Sequence, residues 1–394
     1  MSSDITNCDI AVIGGGAIGL SAAYYATAAG HTTVLFEQFD FGNARASSDG
    51  DSRMFRVMYS DANMARLAEA SLAQWREIED FTGDTLLRRN GLLFYGVDAT
   101  SVEGDLVQCA DVMTELGIPY TRYERDTLLQ AYPVFRDLPP KYYGLSQPSC
   151  ATIVVKQSLK TFSELAKLHG ANLLTNCPAT IRPNSPGATS YLIDSRAGTF
   201  SAKRLILAPG AWSNRVLSAF GMQLKLTIWQ MTVAYFNVDA SLTWPMWYEF
   251  GPTIKVDGKD RELLFYGFPP LGQPDQIKVS ADFTNDTYTD PSQCSYRPDP
   301  NILKQISAFM TSRFRGVNPA PLGAMTCLYT MSADDQIILD TLPRRPNVAV
   351  LTGESGRAFK YTPLFGRILV ELATTGKSAY DISEFRIDRP GLAA

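Results

Sequence analysis

The sequence predicts a mixed α/β chain of two domains, a doubly wound α/β domain interrupted by a mainly antiparallel β-sheet. Three observations predict it. A glycine-rich turn near the N-terminus joins a buried-strand pattern to a helix pattern. Between about residues 221 and 324 the apolar spacing switches to the period of strands. The last segment returns to strand, turn and helix.

Asp9 to Leu20 is an apolar run entering a turn in which Gly14, Gly16 and Gly19 fit GxGxxG, with Ala17 and Ile18 between the last two. Ser21 to Ala29 reads as a helix stopped by Gly30, and Thr32 to Glu37 as a second buried strand ending in an acid. Strand, glycine turn, helix and a following acid together make a dinucleotide-binding fingerprint of Rossmann type. Gly14 allows the tight turn, and Gly16 lets backbone N–H groups approach a pyrophosphate at the helix N-terminus. Gly19 lets helix and strand pack closely, and Glu37 can accept hydrogen bonds from ribose hydroxyls. The fingerprint does not separate NAD from FAD.

Ser47, Ser48 and the residues up to Arg53 form a polar loop, with Arg56 just beyond. Ser60 or Asp61 can cap a long helix whose apolar positions Met64, Leu67, Leu72, Trp75 and Ile78 follow helical spacing until Gly83. Residues 86–149 are less regular. Lys156 to His169 reads as an amphipathic helix, Ala171 to Thr175 as a strand, and Arg204 to Trp212 as a strand running into a turn. Thr227–Val238, Thr253–Val256, Glu262–Phe268 and Gln276–Phe283 read as strands, with a hairpin at Asp257-Gly258. Asn347–Thr352 is a strand, Gly353–Gly356 a turn and Pro363–Thr375 a helix. The expected division is 1–85, 150–220 and 325–394 for the nucleotide domain, and 86–149 and 221–324 for the other.

Composition narrows the function. Hydrophobic residues are 45% and charged residues 19% of 394, enough for a large core. The net charge of −4 argues against nucleic acid as a partner. No apolar run reaches the length of a membrane span, and the N-terminus lacks the basic region of a signal peptide, so a cytoplasmic chain is expected. Two histidines, His31 and His169, both at helix or turn edges, disfavour His-based hydrolysis and His-ligated metal, and no metal site is expected. The six cysteines form no CxxC pair and read as reduced thiols.

In Gln276–Phe283, Ile277, Val279, Ala281 and Phe283 point one way and Lys278, Ser280 and Asp282 the other. That alternation by itself reads as a solvated face. Cys327 by itself reads as one more buried thiol. Arg357 and Lys360, beside Glu354, read by themselves as surface charges.

Taken in order, four motifs change this reading: the glycine fingerprint, Ser-Ser-x-Gly-Asp-x-Arg-x-x-Arg from Ser47, Thr-Cys-x-Tyr-Thr around Cys327, and Gly-x-Ser-Gly-x-x-Phe-Lys from Gly353 through Gly356 and Phe359 to Lys360. Over its full length the chain resembles the monomeric sarcosine oxidase family of flavin-dependent amine oxidases. The family also holds N-methyltryptophan, pipecolate and piperideine-2-carboxylate oxidases. The resemblance implies a Rossmann-like FAD-binding domain with an inserted substrate domain. It implies FAD linked through its 8α-methyl carbon to the sulfur of Cys327. It also implies Arg53 against the flavin, Arg56 and Lys360 on a substrate carboxylate, Lys278 as the cation that activates O2, and Tyr266 in the substrate pocket. The products would be an imine and H2O2, from a small secondary or cyclic amino acid, by a protein acting as a monomer.

Two positions depart from the sarcosine-type pattern: Asp49 stands where that loop carries histidine, and Asp282 where the strand segment carries another. Asp282 resembles the piperideine-2-carboxylate oxidase instead. Arg357 adds a cation to the last turn, which suggests a larger or more polar substrate. Alternatives that keep the same N-terminal fingerprint are a primary amino acid substrate, an NAD-linked dehydrogenase and a non-catalytic FAD-binding protein.

Overall fold

The computed structural model describes residues 5–98, 101, 104–256 and 259–394, with the backbone alone for 253–256 and 259–261. The expected turn at Asp257-Gly258 lies outside the described residues. The chain builds two large sheets and one small one. In the first, Thr6–Ile13 lies between Gly198–Leu207 and Thr33–Phe36, parallel to both. Asn172–Leu174 extends it beside Thr33–Phe36, and Arg345–Thr352 runs parallel to Gly198–Leu207. Within them Ile10–Ile13, Thr33–Phe36, Leu205–Leu207 and Val348–Thr352 are continuous buried runs, as in a sheet covered by helices.

The first helix runs Ala17–Ala28, beginning four residues before the expected Ser21. Gly16 caps it in extended backbone, so the helix starts directly from the turn. The turn has no spare room. Gly14 has φ +107°, and a Cβ there would meet Ala208 O at 2.3 Å. A Cβ on Gly19 would meet Gly14 O at 1.8 Å. Thr362–Thr375, entered through Pro363 and ended at left-handed Gly376, packs on this first helix. Their contact passes through Gly366, whose Cβ would lie 2.2 Å from Ser21 Oγ and 2.8 Å from Ala22 N.

The long helix Ala62–Thr82 follows its sequence signals closely. Asp61, of the two candidate caps, accepts a hydrogen bond from Met64 N at 2.7 Å, and Gly83 closes the helix in the left-handed region.

The second sheet has nine strands and is mainly antiparallel. Leu226–Val238 pairs with both Gln276–Ala281 and Val317–Ser332, and Lys259–Phe268 pairs with both Trp247–Val256 and Gln276–Ala281. Leu92–Gly96 joins it, parallel to Trp247–Val256, and brings Tyr143–Gln147 and Thr121–Glu124 with it. Strands from 92–147 and from 226–332 therefore share one sheet. Val317–Ser332 pairs with Leu226–Val238 on both sides of the 324/325 division. Helix Pro300–Arg313 packs on this sheet, where Arg313 forms a bidentate pair with buried Glu249 at 2.6 and 2.8 Å. The small sheet pairs Ser52–Phe55 and Leu87–Arg88 with Ala151–Val154. Among the described residues no helix is long and apolar enough to cross a membrane.

Gly366→Val is expected to force the two helices apart. The cost should be about 1–3 kcal/mol, as for other overpacked cores, read as a lower denaturant midpoint. An unchanged midpoint would remove Gly366 from the helix contact.

Candidate active site

Two cavities contain nearly all the residues singled out above. The larger, about 640 Å³, is lined by Gly14, Gly16, Ala17, Ile18, Glu37, Ser47 and Ser48, together with Trp212, Arg215 and Glu354. Ser48 Oγ accepts from Ala17 N at 3.1 Å, tying the polar loop to the start of the first helix. Glu37 is buried at the end of its strand, as the fingerprint requires. Its two oxygens already accept from Gly15 N at 2.7 Å and Phe39 N at 2.8 Å. Burial pushes its carboxyl above the ordinary value, opposed by those backbone N–H groups. Glu37 thus braces the glycine turn as well as facing the cavity. Gly19 serves helix packing, and Gly353 (φ +56°) stands behind its turn and lines neither cavity.

The smaller cavity, about 80 Å³, is lined by Arg53, Arg56, Tyr266, Lys278, Asp282, Cys327, Gly356, Arg357, Phe359 and Lys360, together with Tyr248 and Tyr329. Its walls come from the nine-stranded sheet, the small sheet and the last turn. Arg53, on Ser52–Phe55, is held by three carbonyls: Ser52 O at 2.8 Å, Ser47 O at 2.6 Å and Asp49 O at 2.7 Å. Asp49, in place of the histidine, therefore serves the loop through its backbone. The Arg53 guanidinium lies over Phe359.

Lys278 corrects the expectation of a solvated face. Its strand is central in the nine-stranded sheet, and Lys278 and Ser280 are both buried. Lys278 Nζ donates to Ser52 O at 2.6 Å and lies 4.5 Å from the centre of the Phe268 ring. Burial first, and then the nearby Arg53 charge, push its amine down to about 7. Cys327 faces the same two cations. Burial raises its thiol while Arg53 and Lys278 pull it back toward the thiolate. Arg357 and Lys360 are likewise wall residues of this cavity, not simple surface charges.

Asp282 lies just past the end of its strand, where its carboxylate accepts from Tyr248 Oη at 2.8 Å. Tyr248 stacks on Tyr266, with ring centres 6.0 Å apart and planes within 5°. Tyr266 Oη and Tyr329 Oη share a hydrogen bond at 3.1 Å. Opposite polarity comes from Arg56, stacked on Tyr59 and Phe94, and from Lys360. Ser71 Oγ and Trp75 Nε1 on the long helix both donate to Lys360 O, fixing that backbone at 2.8 and 2.9 Å. Tyr329 was visible in the Thr-Cys-x-Tyr-Thr motif. Tyr248, Phe268 and Met54 carry no linear signal and reach the cavity only through strand pairing.

The arrangement can bind a small carboxylate beside a buried thiol, under strong positive charge. The adjoining large cavity suits a dinucleotide: close-packed glycines, helix N–H groups and an acid at the second strand.

The family described as FAD dependent oxidoreductase matches residues 9–372. Monomeric sarcosine oxidase of Bacillus sp. (strain B-0618) is 27% identical over 391 residues, covering 98% of this chain and 97% of that protein. N-methyl-L-tryptophan oxidase of Yersinia pestis (strain Pestoides F) is 26% identical over 387 residues, covering 97% and 99%. The solved structure of NikD, described as an unusual amino acid oxidase essential for nikkomycin biosynthesis, matches with a TM-score of 0.87 at 28% identity, covering 99% of this chain and 98% of that one.

Lys278 makes stability depend on pH. Its folded-state value lies below the unfolded one, so the unfolded chain holds the proton more tightly between about 7 and 10.5. Stability contributed at this site therefore climbs as pH rises through that window. Lys278→Met is expected to remove the climb, a change of roughly 2–5 kcal/mol in the difference between the two proteins. Parallel melting curves for both across that window would refute the burial of a depressed amine.

Proposed function

We propose a reaction from one premise: this chain belongs to the FAD dependent oxidoreductase family. With FAD as the family's cofactor, the nicotinamide alternative falls away. The chain oxidises the C–N bond of a small secondary-amine or cyclic amino acid to an imine. The observation that carries this reading is the meeting of Arg56, Lys360, Lys278 and Cys327 on one small cavity, joined to the larger one by the turn at 353–356. The likeness to sarcosine oxidase, N-methyl-L-tryptophan oxidase and NikD supports it.

The larger cavity fits FAD because its glycines leave no room for a Cβ at the turn and its helix start offers N–H groups. Gly14, Gly16, Ala17, Ile18, Glu37, Ser47 and Ser48 hold the dinucleotide half, and Arg53, Gly356 and Phe359 the flavin. Cys327 is the covalent tether, through its sulfur to the 8α-methyl carbon. When bound, FAD supplies the two-electron acceptor for the amine's C–H and passes the electrons to O2, giving H2O2.

The protein's residues bind and orient. Arg56 and Lys360 converge on the substrate carboxylate, a guanidinium and an ammonium from largely buried side chains. The substrate amine must be neutral to lose its hydride. The cations around the cavity, Arg53, Arg56, Lys278, Arg357 and Lys360, depress its pKa by repulsion. Asp282, held by Tyr248, takes the amine end, and Tyr266 forms the pocket wall. Lys278, in its protonated form, is the positive charge that stabilises oxygen as it gains electrons. The protein works as a monomer in the cytoplasm.

Cys327→Ser is expected to release its flavin on acid precipitation, whereas the parent keeps flavin bands in the pellet. Flavin retained by the variant would move the tether elsewhere. Lys278→Met is expected to slow reoxidation by O2 by roughly 100-fold or more while leaving anaerobic reduction within a few fold. Equal slowing of both half-reactions in stopped flow would assign Lys278 a different role. Arg56→Ala or Lys360→Ala is expected to weaken a carboxylate inhibitor by roughly 10–100-fold, as for a lost charged hydrogen bond. Unchanged inhibitor titrations would place the carboxylate elsewhere.

A further inference from the structure

Asp51 has no part in the reaction described above. It stands directly before Ser52, whose carbonyl accepts from Lys278 Nζ at 2.6 Å. Two other elements hold it. Its carbonyl accepts from Val155 N at 3.0 Å. Its carboxylate pairs through Oδ1 with Lys156 Nζ at 2.8 Å, and through Oδ2 accepts from Tyr235 Oη at 3.3 Å. Lys156 lies in the first turn of the helix Val155–Leu168, and Tyr235 belongs to the strand Leu226–Val238.

Tyr235 is the link to Lys278. The two are direct cross-strand partners, so their side chains share one face of the sheet. Phe268 is the direct partner of Lys278 on the other side. The lysine therefore rises between two aromatic neighbours, with Nζ 4.5 Å from the centre of the Phe268 ring and the Tyr235 hydroxyl bonded to Asp51. A buried ammonium calls for a counter-charge as well as hydrogen bonds. Ser52 O offers a hydrogen bond and Phe268 a ring face, but neither carries a charge. Asp51, one residue from Ser52 and bonded to Tyr235, carries one.

The electrostatics agree with this placement. Burial raises the Asp51 carboxyl, but Lys156, Tyr235 and the Lys278 charge bring it below the ordinary value. At Lys278, burial and the Arg53 charge act downward, while Cys327, Asp51 and Asp49 act upward. A cysteine bound through its sulfur carries no thiolate charge, which leaves the two loop acids. Of these, Asp51 is the one tied to the strand beside Lys278. Asp282, Tyr266 and Tyr329 also line the cavity of Lys278. So do the cations Arg56, Arg357 and Lys360, and none of these groups changes in the variants below.

We propose that Asp51 is a positioning residue for Lys278: braced by Lys156 and Tyr235, its carboxylate is the counter-charge of the buried ammonium. Only the consequence for oxygen rests on the function proposed above; the pairing itself does not.

The test is an NMR titration of holoenzyme isotope-labelled in its lysine side chains, with the Lys278 signal identified by its absence from Lys278→Met. Asp51→Asn keeps the shape of the side chain and removes its charge. It is expected to lower the Lys278 midpoint by roughly half a pH unit, the size of a partly exposed charge pair. Asp51→Glu restores the charge and is expected to restore the midpoint. Lys156→Met leaves the acid in place and is expected not to lower it. A parent-like midpoint in Asp51→Asn, an equal fall in Asp51→Glu, or an equal fall in Lys156→Met would each overturn the assignment. Where Asp51→Asn fails to fold, the coupling is read from its other end, because it is reciprocal. The Asp51 carboxyl, labelled in aspartate and identified by its loss from Asp51→Glu, is expected to titrate roughly half a pH unit higher in Lys278→Met than in the parent. Equal midpoints would overturn the proposal. The same shift is expected in the pH profile of reoxidation by O2. A shift seen by NMR but missing from reoxidation upholds the Asp51 assignment and refutes the oxygen role of Lys278.

Discussion

The carbonyl oxygen of Ser52 accepts hydrogen bonds from two cations, Arg53 at 2.8 Å and Lys278 at 2.6 Å. Much of the site's geometry follows from that one acceptor. Arg53 belongs to the small sheet and reaches back to Ser47 O and Asp49 O, so it closes the polar loop upon itself. Lys278 comes from the centre of the nine-stranded sheet. Their shared acceptor pins the loop that touches the larger cavity to the sheet that walls the smaller one. A single carbonyl dipole cannot neutralise two charges. Burial, and then the Arg53 charge, depress the Lys278 amine, and both cations pull on the Cys327 thiol.

That surplus of positive charge costs stability and serves chemistry. A buried ammonium is unfavourable wherever the unfolded chain can hydrate it, which is why Lys278 weakens the fold around neutral pH. Under the proposed function the same charge draws in a carboxylate, disfavours a protonated amine and offers a counter-charge for oxygen. Asp282 with Tyr248, and Tyr266 with Tyr329, place polar but uncharged or shielded groups opposite it. Sites of this kind retain unfavourable local electrostatics because the rest of the core sustains them.

The two acids of the larger cavity solve the problem of burial differently. Glu37 receives two backbone N–H groups and stiffens the glycine turn while facing the cavity. Glu354 receives none at Oε2.

Local chemistry was legible in the sequence wherever it is settled within a few residues. The glycine spacing could be read because Gly14 and Gly19 leave no space for a Cβ. The long helix could be read because Asp61 and Gly83 satisfy its ends without help from elsewhere. The first helix starts earlier than the sequence suggests, since apolar residues after a glycine turn fit strand and helix equally well. The motif around Cys327 was visible, but its place depends on pairing opposite Met231, a partner almost a hundred residues away. The alternation at Lys278 was read correctly as a strand and wrongly as a solvated face, because period two is the same for an edge strand and a central one. The sequence by itself determined the element types and the dinucleotide turn, through steric fit and capping within each element. Only the tertiary structure decided that Lys278, Tyr248 and Glu354 face cavities, because burial is set by which strands and turns pack together and not by the order of residues along one of them.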